Sequence, residues 1–202
     1  MSTVDSTLTV TVGTESTSAA TLSKVISDMY YLGIDCSLRS SGIALYSEDS
    51  GYETYLIKTN SKEHEGSRLE HIFNEFNAIV KGKDIQIACM EGPSYHSVNK
   101  SFSMGAAYGI YKLACSILDI ELIILPPTKL KKYMCGKGSA SKNNMVSACN
   151  ALFRLGLVSD DKADAVVCCS VAREVGSSYP INLPGTRAAL EVVTDVRSAQ
   201  HS

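Results

Sequence analysis

Hydrophobic and polar positions form three short strand-like stretches near the start of the folded part. They cover residues 30–35, 43–46 and 52–57, and turns rich in Ser and Gly separate them. Short apolar runs with such turns between them are typical of β-strands joined as an antiparallel meander. The pattern therefore predicts three consecutive strands, the first of which ends at Asp35.

The pattern then changes to the helical period. Apolar residues recur at three- and four-residue spacing from Leu69 to Val80, which predicts a helix of about 16 residues with one buried face. Residues 85–90 form a short apolar run that ends at Glu91, a length that suits a buried strand rather than a helix. A fourth strand is thus predicted to end at a carboxylate, as the first does.

The remaining periodicity predicts one more strand and three more helices. Residues 102–118 have the helical period, residues 121–125 read as a fifth strand stopped by two prolines, and helices are predicted over residues 141–155 and 161–174. The order β-β-β-α-β-α-β-α-α indicates an α/β fold, with a five-stranded mixed sheet flanked by helices.

The two ends of the chain lack this patterning. Residues 1–27 are crowded with Ser and Thr, which is typical of a disordered leader, although residues 7–12 alternate as a short accessory strand would. Residues 177–202 contain two prolines and read as a loosely ordered tail. One folded domain is therefore predicted over residues 28–176.

Composition narrows the classes of function. The chain of 202 residues is 45% hydrophobic and 20% charged, like soluble globular proteins, and no apolar run is long enough for a bilayer span, which argues against a membrane role. The seven cysteines form no C-x-x-C pair, so we expect small buried side chains in a reducing cytoplasm. A net charge of −2 requires any nucleic-acid surface to be local.

Four acidic residues are candidates for a metal site. Asp35 and Glu91 end predicted strands, and the carboxyl ends of strands are where sites gather in α/β folds. Asp161 and Asp164 are three residues apart and share one face of a predicted helix. Mg²⁺ prefers oxygen ligands, and a pair of such ions can catalyse phosphodiester hydrolysis. If the first and fourth strands are neighbours, Asp35 and Glu91 would lie side by side, and four convergent acids would suffice for such chemistry.

The helical pair also has a structural interpretation. Acidic side chains are favoured at a helix N-terminus, so Asp161 and its neighbour Asp160 suit a capping role. Asp164 lies one turn further in among Ala and Val, where a lone carboxylate is costly to bury unless it meets a cation. Spacing alone leaves both interpretations of the pair open.

A basic segment lies in the second half of the domain. Between residues 100 and 142 there are seven lysines and two acids. A solvated face would explain the lysines, and so would a surface for phosphates. Lys137 lies between two glycines and Lys142 opens the following helix, which favours phosphate binding because helix N-termini attract anions.

Taken in order, the motifs resemble those of RuvC-type Holliday junction resolvases. The resemblance runs from Leu32 to Ala172 and has four anchors: Gly33-Ile34-Asp35 with Gly42-Ile43-Ala44, then Glu91, then Gly136-x-Gly138-x-Ala140-x-Lys142, then Asp161-x-Ala163-Asp164-Ala165. Each anchor is weak alone, and their order and spacing make the set specific. The acidity, long leader and extended tail favour a viral branch, encoded by a bacteriophage.

The resemblance implies a ribonuclease H-like fold and a Mg²⁺-dependent endonuclease. Such an enzyme cuts two strands of a four-way junction as a homodimer and leaves 5′-phosphate and 3′-hydroxyl ends, here in the cytoplasm of a host cell. Asp35, Glu91, Asp161 and Asp164 would be the catalytic acids that hold two ions. Mn²⁺ could substitute for Mg²⁺, because both take oxygen ligands.

The same resemblance gives roles to residues that touch DNA. Lys131 and Lys142 align with lysines that contact DNA near the scissile phosphate, and Lys132 and Lys137 extend that surface. Lys142 is the preferred electrostatic partner of the transition state. Tyr95 is the candidate for an aromatic wedge in the junction, one residue later than related enzymes place it.

Two glycines are candidates for a dimer interface. Gly105 and Gly109 share one face of a predicted helix and so allow close approach of another element. Packing on the chain's own sheet explains them as well as a dimer does, and only the resemblance favours the dimer.

Other functions fit parts of the pattern. A related nuclease acting on flaps, forks or RNA would use the same acids. A non-catalytic junction-binding protein or an actin-like ATP-binding fragment would use the phosphate-binding features, although actin-like ATPases need two lobes and a longer chain.

Overall fold

A single mixed sheet organises the molecule, whose computed structural model describes residues 29–93 and 101–177. Its five strands are β1 (Met29–Asp35), β2 (Ser40–Ser47), β3 (Gly51–Lys58), β4 (Asp84–Glu91) and β5 (Glu121–Leu125). The order across the sheet is β3-β2-β1-β4-β5. The three N-terminal strands pair antiparallel, whereas β1 with β4 and β4 with β5 pair parallel. β1 is therefore the central strand.

Helices cover both faces of this sheet. They are α1 (Glu65–Val80), α2 (Ser101–Ile117), α3 (Pro127–Cys135), α4 (Lys142–Phe153) and α5 (Asp160–Gly176). α1 and α2 pack on one face, and α3, α4 and α5 pack on the other. The predicted strands and helices are confirmed, with ends that differ by a few residues from the pattern.

Alternation along β1 divides its side chains between two cores. Leu32 and Ile34 are fully buried against α1 and α2, whereas Tyr31 faces the core formed with α5. Because both faces of the central strands are covered, Asp35 emerges from the end of a strand that is buried on both sides.

Among the described elements, α3 is the one that the pattern did not predict. The two prolines that stop β5 also start a helix, with Pro126 at the N-cap and Pro127 in the first turn, where its fixed φ is favourable. Leu130 and Tyr133 are buried, and Gly136 ends the helix with a φ of 75°. Part of the basic segment is therefore helical.

Several predictions concern residues outside the described ranges. The leader, Tyr95 and all but the first residue of the predicted tail belong to this group.

The seven cysteines are all described; they are free, and six of them are buried, as expected. No helix within residues 29–93 and 101–177 is long and apolar enough to cross a membrane.

Candidate active site

Asp35 and Glu91 lie side by side at the carboxyl ends of β1 and β4. Ile34 is in register with Met90, so the next residue of each strand is an acid that leaves the sheet at the same edge. Paired strands are about 4.8 Å apart, so both carboxylates lie in the same small volume at this edge of the sheet. The Tyr108 hydroxyl donates a hydrogen bond of 2.6 Å to the carbonyl oxygen of Glu91 and so fixes the end of β4.

Two glycines let α5 lie directly on the central strands. A Cβ atom on Gly33 of β1 would lie 1.9 Å from the carbonyl oxygen of Ala165, and one on Gly42 of β2 would lie 2.0 Å from that of Asp161. No side chain tolerates such distances, so only glycine permits this contact between helix and sheet. The contact brings the first turns of α5, and their acid pair, to the end of β1.

Neither aspartate at the start of α5 is its cap. Ser159 is the N-cap, and its Oγ accepts a hydrogen bond from the backbone N–H of Lys162. Asp160 and Asp161 occupy the first turn behind that N-cap, and the carboxylate of Asp160 accepts hydrogen bonds from backbone N–H groups of this turn, so Asp160 keeps a role at the helix N-terminus. Asp161 instead accepts a hydrogen bond of 2.7 Å from the Oγ of Ser40, at the start of β2, which holds its carboxylate beside the β1–β2 turn.

Burial and mutual repulsion disfavour the charged forms of three of these acids. Burial, followed by the charges of Glu91 and Asp164, holds the pKa of Asp35 well above its ordinary value. Burial is also the main cause that raises the pKa of Glu91 to about 7 and that of Asp164 to about 6. No Lys or Arg of residues 29–93 and 101–177 forms an ion pair with these three carboxylates. A half-buried cluster of like charges is stabilised by a cation.

Two of the predicted DNA-binding lysines lie close to these acids. The positive charge of Lys131, on α3, opposes the rise in the pKa of Glu91 and of Asp164. Lys142, the first residue of α4, opposes the rise in pKa for all three half-buried acids. Its ammonium forms an ion pair with Asp160 at the start of α5.

The other predicted DNA-binding residues show no such effect on the acids or lie outside the described ranges. Lys132 lies in the last turn of α3. Lys137 is exposed in the loop between α3 and α4. Tyr95 lies outside the described residues, so its predicted role stays a prediction.

The two predicted interface glycines lie on the outer face of α2. Gly105 and Gly109 are exposed, and a Cβ atom on either would meet nothing within 4 Å. Packing against the chain's own sheet is therefore the wrong explanation for these glycines. The interface interpretation remains.

The donor set suits a hard divalent cation. All four candidate ligands are carboxylates, which suit Mg²⁺ or Mn²⁺ rather than a thiolate-seeking metal. Within the described ranges no three acidic, His or Cys side chains are positioned to hold one ion together. Protein sites for Mg²⁺ usually supply one or two carboxylates, and water and phosphate complete the shell.

Sequence reasoning missed Ser40 and the packing role of the two strand glycines. A glycine inside a strand often marks close approach of another backbone, so Gly33 and Gly42 carried a usable signal. Ser40 carried none, because its partner Asp161 lies 121 residues away in the sequence.

The sequence of this chain matches one family of known proteins. Residues 31–172 match the family model described as crossover junction endodeoxyribonuclease RuvC. Proteins of that name from Prochlorococcus marinus and Brachyspira hyodysenteriae are each 27% identical to this chain; they match 68% of it, and 92% and 89% of their own lengths.

Solved structures agree with these sequence matches. The structure of Thermus thermophilus RuvC has a TM-score of 0.59 at 17% identity and covers 70% of this chain and 91% of its own. The structure of T. thermophilus RuvC in complex with Holliday junction substrate has a TM-score of 0.60, also at 17% identity, and covers 70% of this chain and 90% of its own. The ribonuclease H-like fold is thereby confirmed.

Proposed function

This chain belongs to the crossover junction endodeoxyribonuclease RuvC family, and we propose that it resolves Holliday junctions and related branched DNA by paired hydrolysis of phosphodiester bonds. The observation that carries the proposal is the convergence of Asp35, Glu91, Asp161 and Asp164. These acids come from two strands and one helix that meet at one edge of the sheet. Three of them are half-buried carboxylates whose charges oppose one another, which favours metal binding over a purely structural role.

The four acids would hold Mg²⁺ as two ions, with Mn²⁺ as a substitute. When bound, the ions would supply Lewis acidity to the scissile phosphate and to the attacking water. The protein positions the acids without a bound metal, because strand pairing places Asp35 beside Glu91 and the Ser40 hydroxyl holds the carboxylate of Asp161. Protons compete for Glu91 and Asp164, so we expect metal affinity to rise with pH through about 6 to 7.

The lysines beside the acids would bind the DNA backbone. Lys131 and Lys142 lie where a phosphate approaching the acids would meet positive charge. Lys142 would offset the negative charge that develops on the phosphate. Lys132 and Lys137 would extend the contact along the strand, and Tyr95 would wedge into the junction.

An exposed apolar face on α2 supports a homodimer. Phe102, Leu113 and Ile117 are 96%, 52% and 62% exposed, and Gly105 and Gly109 lie on the same side of the helix. Small residues flanked by apolar ones allow close approach of a second helix. A two-fold dimer would present two identical sites to two strands of a junction. The free cysteines fit a reducing compartment, and we place the activity in the cytoplasm.

A junction-cleavage assay with acid variants tests the proposal. Wild-type protein with Mg²⁺ is expected to cut a synthetic four-way junction. Asp35→Asn should abolish cutting and still bind the junction, because it removes one carboxylate without touching the lysines. The matched control is Asp49→Asn, which changes an exposed acid in the β2–β3 turn and should cut at the wild-type rate. Cutting by Asp35→Asn at the wild-type rate would contradict the metal assignment.

A further inference from the structure

An ion pair joins two helix N-termini at the edge of the acid cluster. Lys142 is the first residue of α4, Asp160 is the first residue of α5, and the lysine Nζ donates to the Oδ2 of Asp160. The side chains are 70% and 40% exposed, so solvent and DNA can reach the pair. The pair also lines an open groove of about 410 Å³. Asp160 is not one of the four proposed metal ligands.

The position of Lys142 presents a conflict. Its partner Asp160 directly precedes Asp161 in α5, so the ammonium lies beside the acid cluster, and its charge acts on the three other, half-buried carboxylates. A flexible lysine beside unpaired carboxylates would ordinarily form an ion pair with one of them and compete with a metal for its oxygens. Among the described residues, however, the partner of Lys142 is Asp160 and none of those three.

We propose that Asp160 is a positioning residue that anchors the ammonium of Lys142 at the edge of the acid cluster. While it is anchored there, the lysine does not pair with the proposed metal-binding carboxylates. When DNA binds, the lysine can leave the exposed carboxylate of Asp160 and pair with a DNA phosphate instead. The inference rests on the proposed metal-dependent function and adds a residue that acts through Lys142.

A plain charge effect has to be separated from positioning. Asp160 carries a negative charge near the site and would attract a cation even if Lys142 were absent. A double-mutant cycle separates the two, because a residue that acts through Lys142 loses its effect once that lysine is removed.

The test is Mn²⁺ binding to the DNA-free full chain, measured by calorimetry or by electron paramagnetic resonance of the free ion. We expect Asp160→Asn to weaken Mn²⁺ binding by about fivefold, which is within the usual coupling of contacting residues. In a Lys142→Met background the same substitution should change affinity by less than about twofold. Asp160→Glu should restore wild-type affinity, because it keeps the ion pair.

Two results would overturn the inference. One is equal weakening by Asp160→Asn in both backgrounds, which would make Asp160 a plain charge. The other is unchanged affinity in the Asp160→Asn single variant. Asp35→Asn tests the underlying function separately: it should remove most Mn²⁺ binding. If it leaves binding intact, the metal assignment itself is wrong and the inference falls with it.

Discussion

Gly42 contacts α5 so closely that a methyl group cannot be added without moving the helix. A Cβ atom there would lie 2.0 Å from the carbonyl oxygen of Asp161, which is backbone and cannot rotate away. We therefore expect Gly42→Ala to lower the free energy of unfolding by about 1–3 kcal/mol, measured with urea, and to weaken Mn²⁺ binding.

The matched control for this substitution is Gly66→Ala in the first turn of α1. The added Cβ would lie 3.4 Å from the Nδ1 of His64, an ordinary contact. Its free energy of unfolding should stay the same or rise by up to about 1 kcal/mol, because Ala favours the helix over Gly. If Gly42→Ala unfolds at the same urea concentration as Gly66→Ala, the close approach of helix and sheet is wrong.

Glu91 makes the metal-free protein less stable as pH rises. Its pKa of about 7 in the folded state exceeds the ordinary value of 4.5, so at intermediate pH the folded state binds more protons than the unfolded state. Stability is then lost progressively from about pH 4 to pH 7. In EDTA, Glu91→Gln should therefore raise the midpoint of thermal unfolding at pH 8 and change it little at pH 4.

Glu70→Gln, on the exposed face of α1, is the control for charge removal and should leave the midpoint unchanged at both pH values. An equal change at pH 4 and pH 8 in Glu91→Gln would contradict the assigned cause.

Sequence reasoning identified individual site residues unevenly. Asp35 and Glu91 were predictable, because the ends of apolar strands are visible in the chain itself. Asp161 was not distinguishable from a capping residue, because any acid is favourable in the first turn of a helix. The hydrogen bond that holds its carboxylate comes from Ser40, which only the folded chain brings near.

At the scale of elements, buried hydrogen bonds attach α3 to α5. The Tyr133 hydroxyl donates to the Oε2 of Glu174 at 3.0 Å and lies 2.9 Å from the Oγ of Ser170. Tyr133→Phe leaves both partners buried with one bond fewer. We expect it to lower the free energy of unfolding by about 1–3 kcal/mol in urea.

Tyr55→Phe is the matched control, because the Tyr55 hydroxyl binds Glu53 in a partly exposed position on β3. Its free energy of unfolding should change by less than about 0.5 kcal/mol. Equal effects of Tyr55→Phe and Tyr133→Phe would mean that the buried network does not hold α3 in place.

Most elements could be predicted because their periodicity is local. α3 could not, since its two leading prolines also suit the end of a strand, and the choice depends on whether the next residues find a core. Leu130 and Tyr133 are buried in the core that α5 forms with the sheet, and the residues of α5 lie more than 25 positions further along the chain. The basic residues between them hid this apolar pair.

At the scale of the whole molecule, the exposed face of α2 determines the expected assembly. Leu113→Glu places a charge in the centre of that face and should convert a dimer to a monomer in analytical ultracentrifugation. Ala78→Glu adds the same charge on the exposed side of α1 and should leave the dimer intact. Unchanged sedimentation of Leu113→Glu would place the interface elsewhere.

The arrangement of the sheet was only partly predictable. The order of elements indicated a mixed sheet, yet it did not determine which strands are neighbours. The structure pairs β1 with β4 in parallel, and this pairing places Asp35 beside Glu91. The sequence did not show that Gly105 and Gly109 lie on an exposed face of α2, because small residues suit both a sheet contact and a dimer.

Mapping cuts on strand-labelled DNA tests the central claim most directly. The wild-type protein is offered a four-way junction, a fork, a flap, a linear duplex and an RNA–DNA hybrid, each with Mg²⁺. We predict that the junction is cut fastest, at symmetric positions in two opposing strands, with 5′-phosphate and 3′-hydroxyl ends that ligase can seal. Equal cutting of junction and linear duplex, or unpaired nicks in the junction, would contradict the account.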